Sequence, residues 1–315
     1  MAATDIGVPN TAAAAAALRA STMRPPRSLW GDAWFQFRRH RLAMAGLIVL
    51  TFLILGTLLG PFIYRTPIST IDFSIGLNGP SAEHPFGTDD LGRDLLARVL
   101  WGGRVSIAVG LTAVFIAITL GLSIGAFAGY FAKLDSPLMR LTDLFLSLPI
   151  LPLLLVIIVL FRDPLRAAFG PEVGIFIMIV TVIGVLNWMP VARLVRAQFL
   201  SLKQKEFVEA ARSVGDTDLR IIWKHILPNV LSPVLVAATI GVGGAILTES
   251  TLSFLGLGFP PDVPTWGRLL FDAQNYIEIA PHWVFFPGFL IFLTVLSINY
   301  IGDGLRDALD PRKTS

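Results

Sequence analysis

The side chains with chemical potential in this chain are few. Residues 84–94 read His84-Pro85-Phe86-Gly87-Thr88-Asp89-Asp90-Leu91-Gly92-Arg93-Asp94. Three carboxylates and an imidazole in one short segment are the donor types that hold a cation. The interleaved Arg93 and the nearby Arg98 argue instead for ion pairing around a helix start, with Thr88 or Asp89 as N-cap. The other histidines, His40, His225 and His282, are widely spread, and there is no cysteine, so no zinc or disulfide pattern exists. A P-loop needs Gly immediately before its Lys. The lysines here follow Ala132, Leu202, Gln204, Trp223 and Arg312, so the chain carries no such nucleotide site. No Ser/His/Asp constellation or paired intramembrane carboxylate stands out, which removes the basis for a membrane enzyme. What remains are Asp143, Asn187 and Glu249, polar groups at or inside long apolar runs. Such groups either line a pathway or bond between helices. Their scatter argues against a proton relay, and residue type leaves the other two roles open.

The elements that hold these residues follow from composition. Of 315 residues, 54% are hydrophobic and only 15% charged, well below the roughly 25% of soluble domains. Disorder is excluded, and a net charge of +3 spread along loops does not describe a nucleic-acid binder. Apolar runs long enough to cross a bilayer, charge-free but for one residue in the fifth, lie at 42–63, 105–132, 144–161, 173–192, 230–254 and 283–302, so six transmembrane helices are predicted. The fifth segment is charge-free from Val230 to Thr248, and its last six positions begin with Glu249. The first run is too long for a cleavable signal and reads as a signal-anchor. The Ala12–Ala17 tract reads as a mobile tail.

Basic residues orient the spans. With segments 1–41, 133–143, 193–229 and 303–315 inside, 18 of the 25 Lys and Arg are cytoplasmic. The positive-inside rule then puts both termini in the cytoplasm and the segments 64–104, 162–172 and 255–282 outside. Trp30, Trp34, Phe35 and Phe37 mix with Arg38, Arg39 and Arg41, a pattern shared by an interfacial amphipathic helix and by a plain basic flank. On the outer side, the segment around Pro260, Pro261 and Pro264 reads as a rigid connector with Trp266 as an interface anchor.

The largest predicted cytoplasmic loop, 193–229, is the most informative stretch. Gln204 to Val214 are good helix formers, and Gly215 suits the position after a helix that needs positive φ. Asp216 or Thr217 caps a second helix that runs to Leu227, with Pro228 as its end. The result is a helix–turn–helix with a small, flat surface at Ala210, Ala211 and Val214 and with Phe207, Val208, Ile221, Ile222 and Trp223 in need of burial.

The run Glu209-Ala210-Ala211-x-x-x-Gly215, followed by Leu227-Pro228, resembles the EAA motif of ABC importer permeases. His225-Ile-Leu-Pro-Asn229, the 84–94 segment, Thr248-Glu249-x-x-Leu252-Ser253-Phe254-Leu255-Gly256-Leu257-Gly258 and Gly302-Asp303-Gly304-Leu305-Arg306-Asp307-x-Leu309-Asp310-Pro311-Arg312 resemble the C-type permease of the peptide/nickel branch. The resemblance covers about residues 30–313. It implies an all-α membrane protein of the type I permease fold, in which Glu209, Ala210, Ala211, Gly215, Asp216 and Asp218 form the element that docks on an ATPase. It also implies a B-type permease, two ATPase subunits that bind ATP and Mg, an extracytoplasmic solute-binding protein and a bacterial or archaeal inner membrane. The same resemblance makes Asp262 and Trp266 candidates for a docking face or outer gate toward the binding protein. The chain itself is then expected to bind no cofactor or metal. Nickel or oligosaccharide transport is carried by the same branch. A stand-alone secondary transporter is disfavoured, because no inverted repeat relates 42–162 to 173–302.

Overall fold

A computed structural model describes residues 29–309. The Ala12–Ala17 tract and Asp310 to Arg312 of the C-terminal motif lie outside the described residues. Among the described residues the regular elements are helices, joined by loops of which 64–94 and 255–265 are the longest, with one isolated bridge between Thr88 and Asp94. In chain order the helices are α1 (Leu29–Arg39), α2 (Arg41–Ile63), α3 (Leu95–Tyr130), α4 (Ala132–Ser147), α5 (Ile150–Phe169), α6 (Pro171–Val185), α7 (Trp188–Leu202) and α8 (Glu206–Ser213). They continue with α9 (Asp218–Phe254), α10 (Trp266–Ala273) and α11 (Pro281–Leu309).

Five helical stretches are long and apolar enough to cross a membrane: α2, α3, α6 with α7, α9 and α11. The third run, 144–161, departs from a straight span. It falls across α4 and α5, which meet at 88°. The bend has a local cause: Leu148 precedes Pro149 and takes extended backbone (φ −79°, ψ 138°), as a residue before proline prefers.

Other boundaries shift for reasons that hydropathy does not carry. α3 begins at Leu95, ten residues before the charge-free run. Its N-cap is Asp94, whose Oδ1 accepts from Ala97 N at 2.8 Å, rather than Thr88 or Asp89. Asp89 is committed to its own loop: Oδ1 accepts from Leu91 N and Arg93 N, and Oδ2 from Arg93 Nε at 2.6 Å. The fourth run breaks at Leu186-Asn187, just before Pro190, which has no N–H to return to Leu186. Pro228 does not end a helix. α9 passes through it by widening into a π-turn over Ile221–Ile226, where Leu227 N reaches back to Ile222 O. A π-turn moves the carbonyl that a proline ring would strike and keeps the helix running.

The core is the central helix α3, packed chiefly on α2, α6, α7 and α9. α3 packs on α7 through Gly121, Gly125 and Gly129, spaced at helical intervals on one face. A Cβ on Gly125 would stand 2.5 Å from Ala192 O, and one on Gly129 would stand 2.5 Å from Phe199 Cβ. Small residues of this kind let two spanning helices approach closely. Gly125→Leu is therefore expected to force α3 and α7 apart at a cost of about 1–3 kcal/mol. The midpoint of thermal unfolding in detergent should fall, while Ser123→Leu on the exposed face of the same helix leaves it unchanged. Equal midpoints would refute the close-packing account.

The long loop 64–94 and the segment 255–273 form a cap at one end of the bundle. Arg98, fully buried, ties them together by donating to Ile68 O and Pro261 O and by lying 3.7 Å from Asp89 and 3.9 Å from Asp272. His84 Nδ1 and the Tyr64 hydroxyl both meet Asp94 Oδ2, at 2.8 and 2.7 Å. His84, Asp89, Arg93 and Asp94 are thus spent on ion pairs and caps. Among the described residues no group of three or more His, Asp or Glu is arranged to hold a metal ion. At the opposite end, α1, the start of α2 and the end of α11 pack around Phe37, Ala43, Ile301 and Ala308.

Candidate coupling and pathway sites

The helix–turn–helix lies at the end opposite the cap, next to the end of α3. Its turn is built locally. After α8, Gly215 adopts φ +91°, its N–H bonds to Arg212 O, and Asp216 N bonds to Ala211 O. This is a Schellman closure, which satisfies carbonyls left open at a helix end. No atom lies within 4 Å of an added Cβ at Gly215, so conformation and not space selects glycine there. Thr217 precedes α9 in extended backbone and makes no side-chain cap bond, so α9 starts without the hydroxyl or carboxylate cap expected of Asp216 or Thr217.

Three polar contacts fasten this tip to the spans. The Tyr130 hydroxyl at the end of α3 donates to Asp218 Oδ1. Arg212 sits over the Tyr130 ring at 5.8 Å. Lys203 Nζ donates to Gly129 O at 2.9 Å. A fourth contact closes the turn on itself: Asp216 receives Arg220 at 3.1 Å and His225 Nε2 at 2.9 Å. Hydrogen bonding from Arg220 first, and from His225 second, holds the Asp216 carboxyl below the usual carboxylate range. The sign is that of a carboxylate favoured in its charged form. The clasp is complete above the ordinary carboxylate range and weakens only as pH falls through it.

Of the residues expected to dock, Glu209, Ala210, Gly215 and Asp218 are exposed and Asp216 is half-buried. Ala211 departs from the expectation. It is buried with Val208 against Ile221, Ile222, Ile226 and Phe199, so its small size serves packing of the tip on its base. Of the apolar residues in need of burial, Val208, Ile221 and Ile222 are buried within the chain, while Phe207 and Trp223 face outward. With Val214 at 88% and Leu219 at 57% exposure they make the tip apolar at its surface. Leu219 and Tyr130 escaped sequence reasoning. The available signal for Tyr130 was a tyrosine ending an apolar run three residues before Lys133.

The polar groups near the spans separate into three environments. Asp143 pairs with Arg193 across α4 and α7, both more than half exposed. Glu249 is fully buried: Ser253 Oγ donates to Oε1 at 2.7 Å, and Ser106 Oγ to Oε2 at 3.1 Å. Ser106 Oγ also accepts from Trp266 N at 3.3 Å, which joins α3, α9 and α10 in one knot. Asn187 alone of the three lines a cavity. It stands at the α6–α7 break beside a cavity of about 500 Å³ between α3, α7 and α9. Ala113, Ala117, Gly241, Gly244 and Thr248 are among its walls, and none of the lining residues is charged. Asn187 Nδ2 donates to Ile183 O at 2.7 Å, which leaves its carbonyl oxygen for another donor.

On the cap, Asp262 is exposed. Trp266 is a correction. It is fully buried, with its indole N–H donating to Val99 O at 3.1 Å, and it offers nothing to an outside partner. A buried indole needs such an acceptor.

Comparison with known proteins bears on this architecture. The family model described as binding-protein-dependent transport system inner membrane component matches residues 117–315. A second, the N-terminal TM domain of oligopeptide transport permease C, matches residues 28–80. The dipeptide transport system permease protein DppC of Alkalihalophilus pseudofirmus is 42% identical over 289 residues, 91% of each chain. The oligopeptide transport system permease protein OppC of Haemophilus influenzae is 43% identical over 91% of this chain and 89% of its own. OppC of Escherichia coli is 42% identical over 91% and 92%. Among solved structures, an inward-facing MetNI methionine ABC transporter chain aligns with a TM-score of 0.52 at 20% identity, over 67% of this chain and 96% of that one.

Proposed function

The chain belongs to the family of binding-protein-dependent transport system inner membrane components, and on that premise we propose that it is the C-type permease of an ATP-driven importer of di- and oligopeptides. It is a multi-pass membrane permease of the type I fold, and ATP hydrolysis belongs to a separate subunit. The complex holds a B-type permease, two ATPases and an extracytoplasmic binding protein. Its membrane is the inner membrane, with both termini cytoplasmic. The distribution of 18 of 25 basic residues supports that orientation.

The observation that carries the reading is the tip of α8 and α9. Its surface is apolar at Phe207, Val214, Leu219 and Trp223, while its base is bonded to α3 and continuous with α9. An ATPase that grips the tip moves two spans as a rigid body. Glu209, Ala210, Gly215 and Asp218 belong to that docking face. Asp216 shapes the turn through its bonds to Arg220 and His225.

The cavity at Asn187 is the chain's share of the pathway. Its small, uncharged walls suit a solute of variable side chain, bonded through its main chain by Asn187 and Thr248. Asp143 and Glu249 stay outside the pathway, one in a surface ion pair and one in a buried knot. Asp262 remains the cap residue available to a binding protein.

The test is peptide uptake by the whole complex reconstituted in vesicles, with ATP inside. Asn187→Asp supplies a charge to the cavity. A charge pair about 8 Å apart at an effective permittivity of 20 interacts by roughly 2 kcal/mol. Uptake of lysine-containing over glutamate-containing peptides should therefore rise by an order of magnitude. An unchanged ratio would remove Asn187 from the pathway.

A further inference from the structure

We propose that α1 is a binding site for acidic phospholipid, in which Arg38, Arg39 and Arg41 hold headgroup phosphates of the adjoining leaflet. Four observations support it. First, the level of α1 in the membrane is set by its neighbour. α2 starts at Arg41, one residue after α1 ends, and carries no charge from Leu42 to Ile63. Arg41 therefore marks the boundary between hydrocarbon and headgroups.

Second, α1 is fastened at that level. Phe37 is buried against Ala43, Ile301 and Ala308. Its ring lies 3.0 Å from where a Cβ of Gly304 would stand, and Gln36 Nε2 donates to Asp307 O. Third, the other side of α1 is an exposed arc of Trp34, Phe35, Arg38 and Arg39, and the exposed Leu42 follows it. Aromatic rings beside arginines are the composition of a helix that lies in the headgroup layer.

Fourth, the arginines are arranged for an anion. Arg38 sits over the Trp34 ring at 5.8 Å, and Arg39 over the Phe35 ring at 4.2 Å. Each ring covers a guanidinium face and leaves its N–H edge, the part that pairs bidentately with a phosphate. Among the described residues no carboxylate forms an ion pair with Arg38, Arg39 or Arg41. Among the described residues nothing thus compensates the charge facing the headgroups. The site stands apart from the proposed ATPase tip, which packs on α3 and α7 rather than on α2 and α11.

The experiment uses the full chain, purified and exchanged into micelles of phosphatidylcholine mixed with phosphatidylglycerol. Lipid retained by the protein is extracted and quantified. Phosphatidylglycerol should be enriched over its share of the micelle, less so at high salt. Each Arg→Gln change at 38, 39 or 41 should lower that preference about fivefold before salt screening. Arg166→Gln, at the far end of α5, should leave it unchanged.

Arg38→Lys with Arg39→Lys tests the site if the neutral variants do not fold. Those lysines keep the charge and should retain most of the enrichment. Enrichment equal in wild type and the neutral variants would overturn the proposal. So would displacement of the lipid by millimolar inorganic phosphate, which would mark a free-anion site. A third overturning result is unchanged lipid with lost binding of the ATPase subunits, which would make the arc a protein surface.

Discussion

Val214→Asp combined with Leu219→Asp is expected to release the chain from its ATPase while it remains folded in the membrane. Both side chains are more than half exposed and neither takes part in the packing of the tip on its base. Burying an aliphatic side chain of this size in an interface contributes about 1.5–3 kcal/mol. A carboxylate in its place adds a desolvation penalty. Two such changes weaken association by more than about 100-fold, since each 1.4 kcal/mol is tenfold. Co-purification of the tagged chain with the ATPase subunits is the measurement. A second variant, Gly215→Ala, reports on the turn instead. Its methyl group meets no neighbour, but φ of +91° is strained for alanine. Partial loss is expected there. Full complex yield with the double aspartate variant would show that the tip is not the docking element.

The second large effect concerns Glu249. Glu249→Leu removes the acceptor that Ser106, Ser253 and, at 3.5 Å, Ser250 share, and with it the link from α9 to Ser106 and Trp266 N. Buried hydroxyls left without a partner cost about 1–3 kcal/mol each. Part of that cost is offset when serines turn back to their own helix carbonyls. A net loss of roughly 2–5 kcal/mol follows, a large share of a typical 5–15 kcal/mol stability. Glu249→Gln keeps an acceptor oxygen and should be far milder. The expected readout is a large fall in the unfolding midpoint for leucine and a small one for glutamine, with faster proteolysis of the 255–265 segment in the leucine variant. Equal midpoints for leucine and wild type would dissolve the knot as a stabilising feature.

Local physics was legible without coordinates. The turn at Gly215 was readable because positive φ is a property of one residue, and the apolar runs were readable because a bilayer imposes a minimum length. The reading failed where a residue's effect depends on its surroundings. Pro228 signals a helix end, but the π-turn at 221–226 absorbs it. Trp266 sits in a proline-rich connector that looks external, yet the connector folds back so that its indole meets Val99 O. The sequence places a helix start at Thr88 or Asp89 but the span only from 105, because Arg98 and Arg104 look like loop charges, whereas α3 is one helix from Leu95. Arg98 is instead neutralised by Asp89 and Asp272 inside the cap, and Arg104 donates to Thr57 O.

By itself the sequence determined that this is a membrane-spanning helical protein and that it carries no P-loop pattern. Those properties rest on hydropathy, on absent residue types and on short-range backbone preference. Only the tertiary structure decided which of Asp143, Asn187 and Glu249 lines a cavity, and which residues of 209–218 face outward. Side chains one residue apart on a helix point about 100° apart. Thr248 therefore borders a cavity while Glu249 beside it is sealed in a ring of hydroxyls, and only the packing of α3 and α10 on α9 determines which is which.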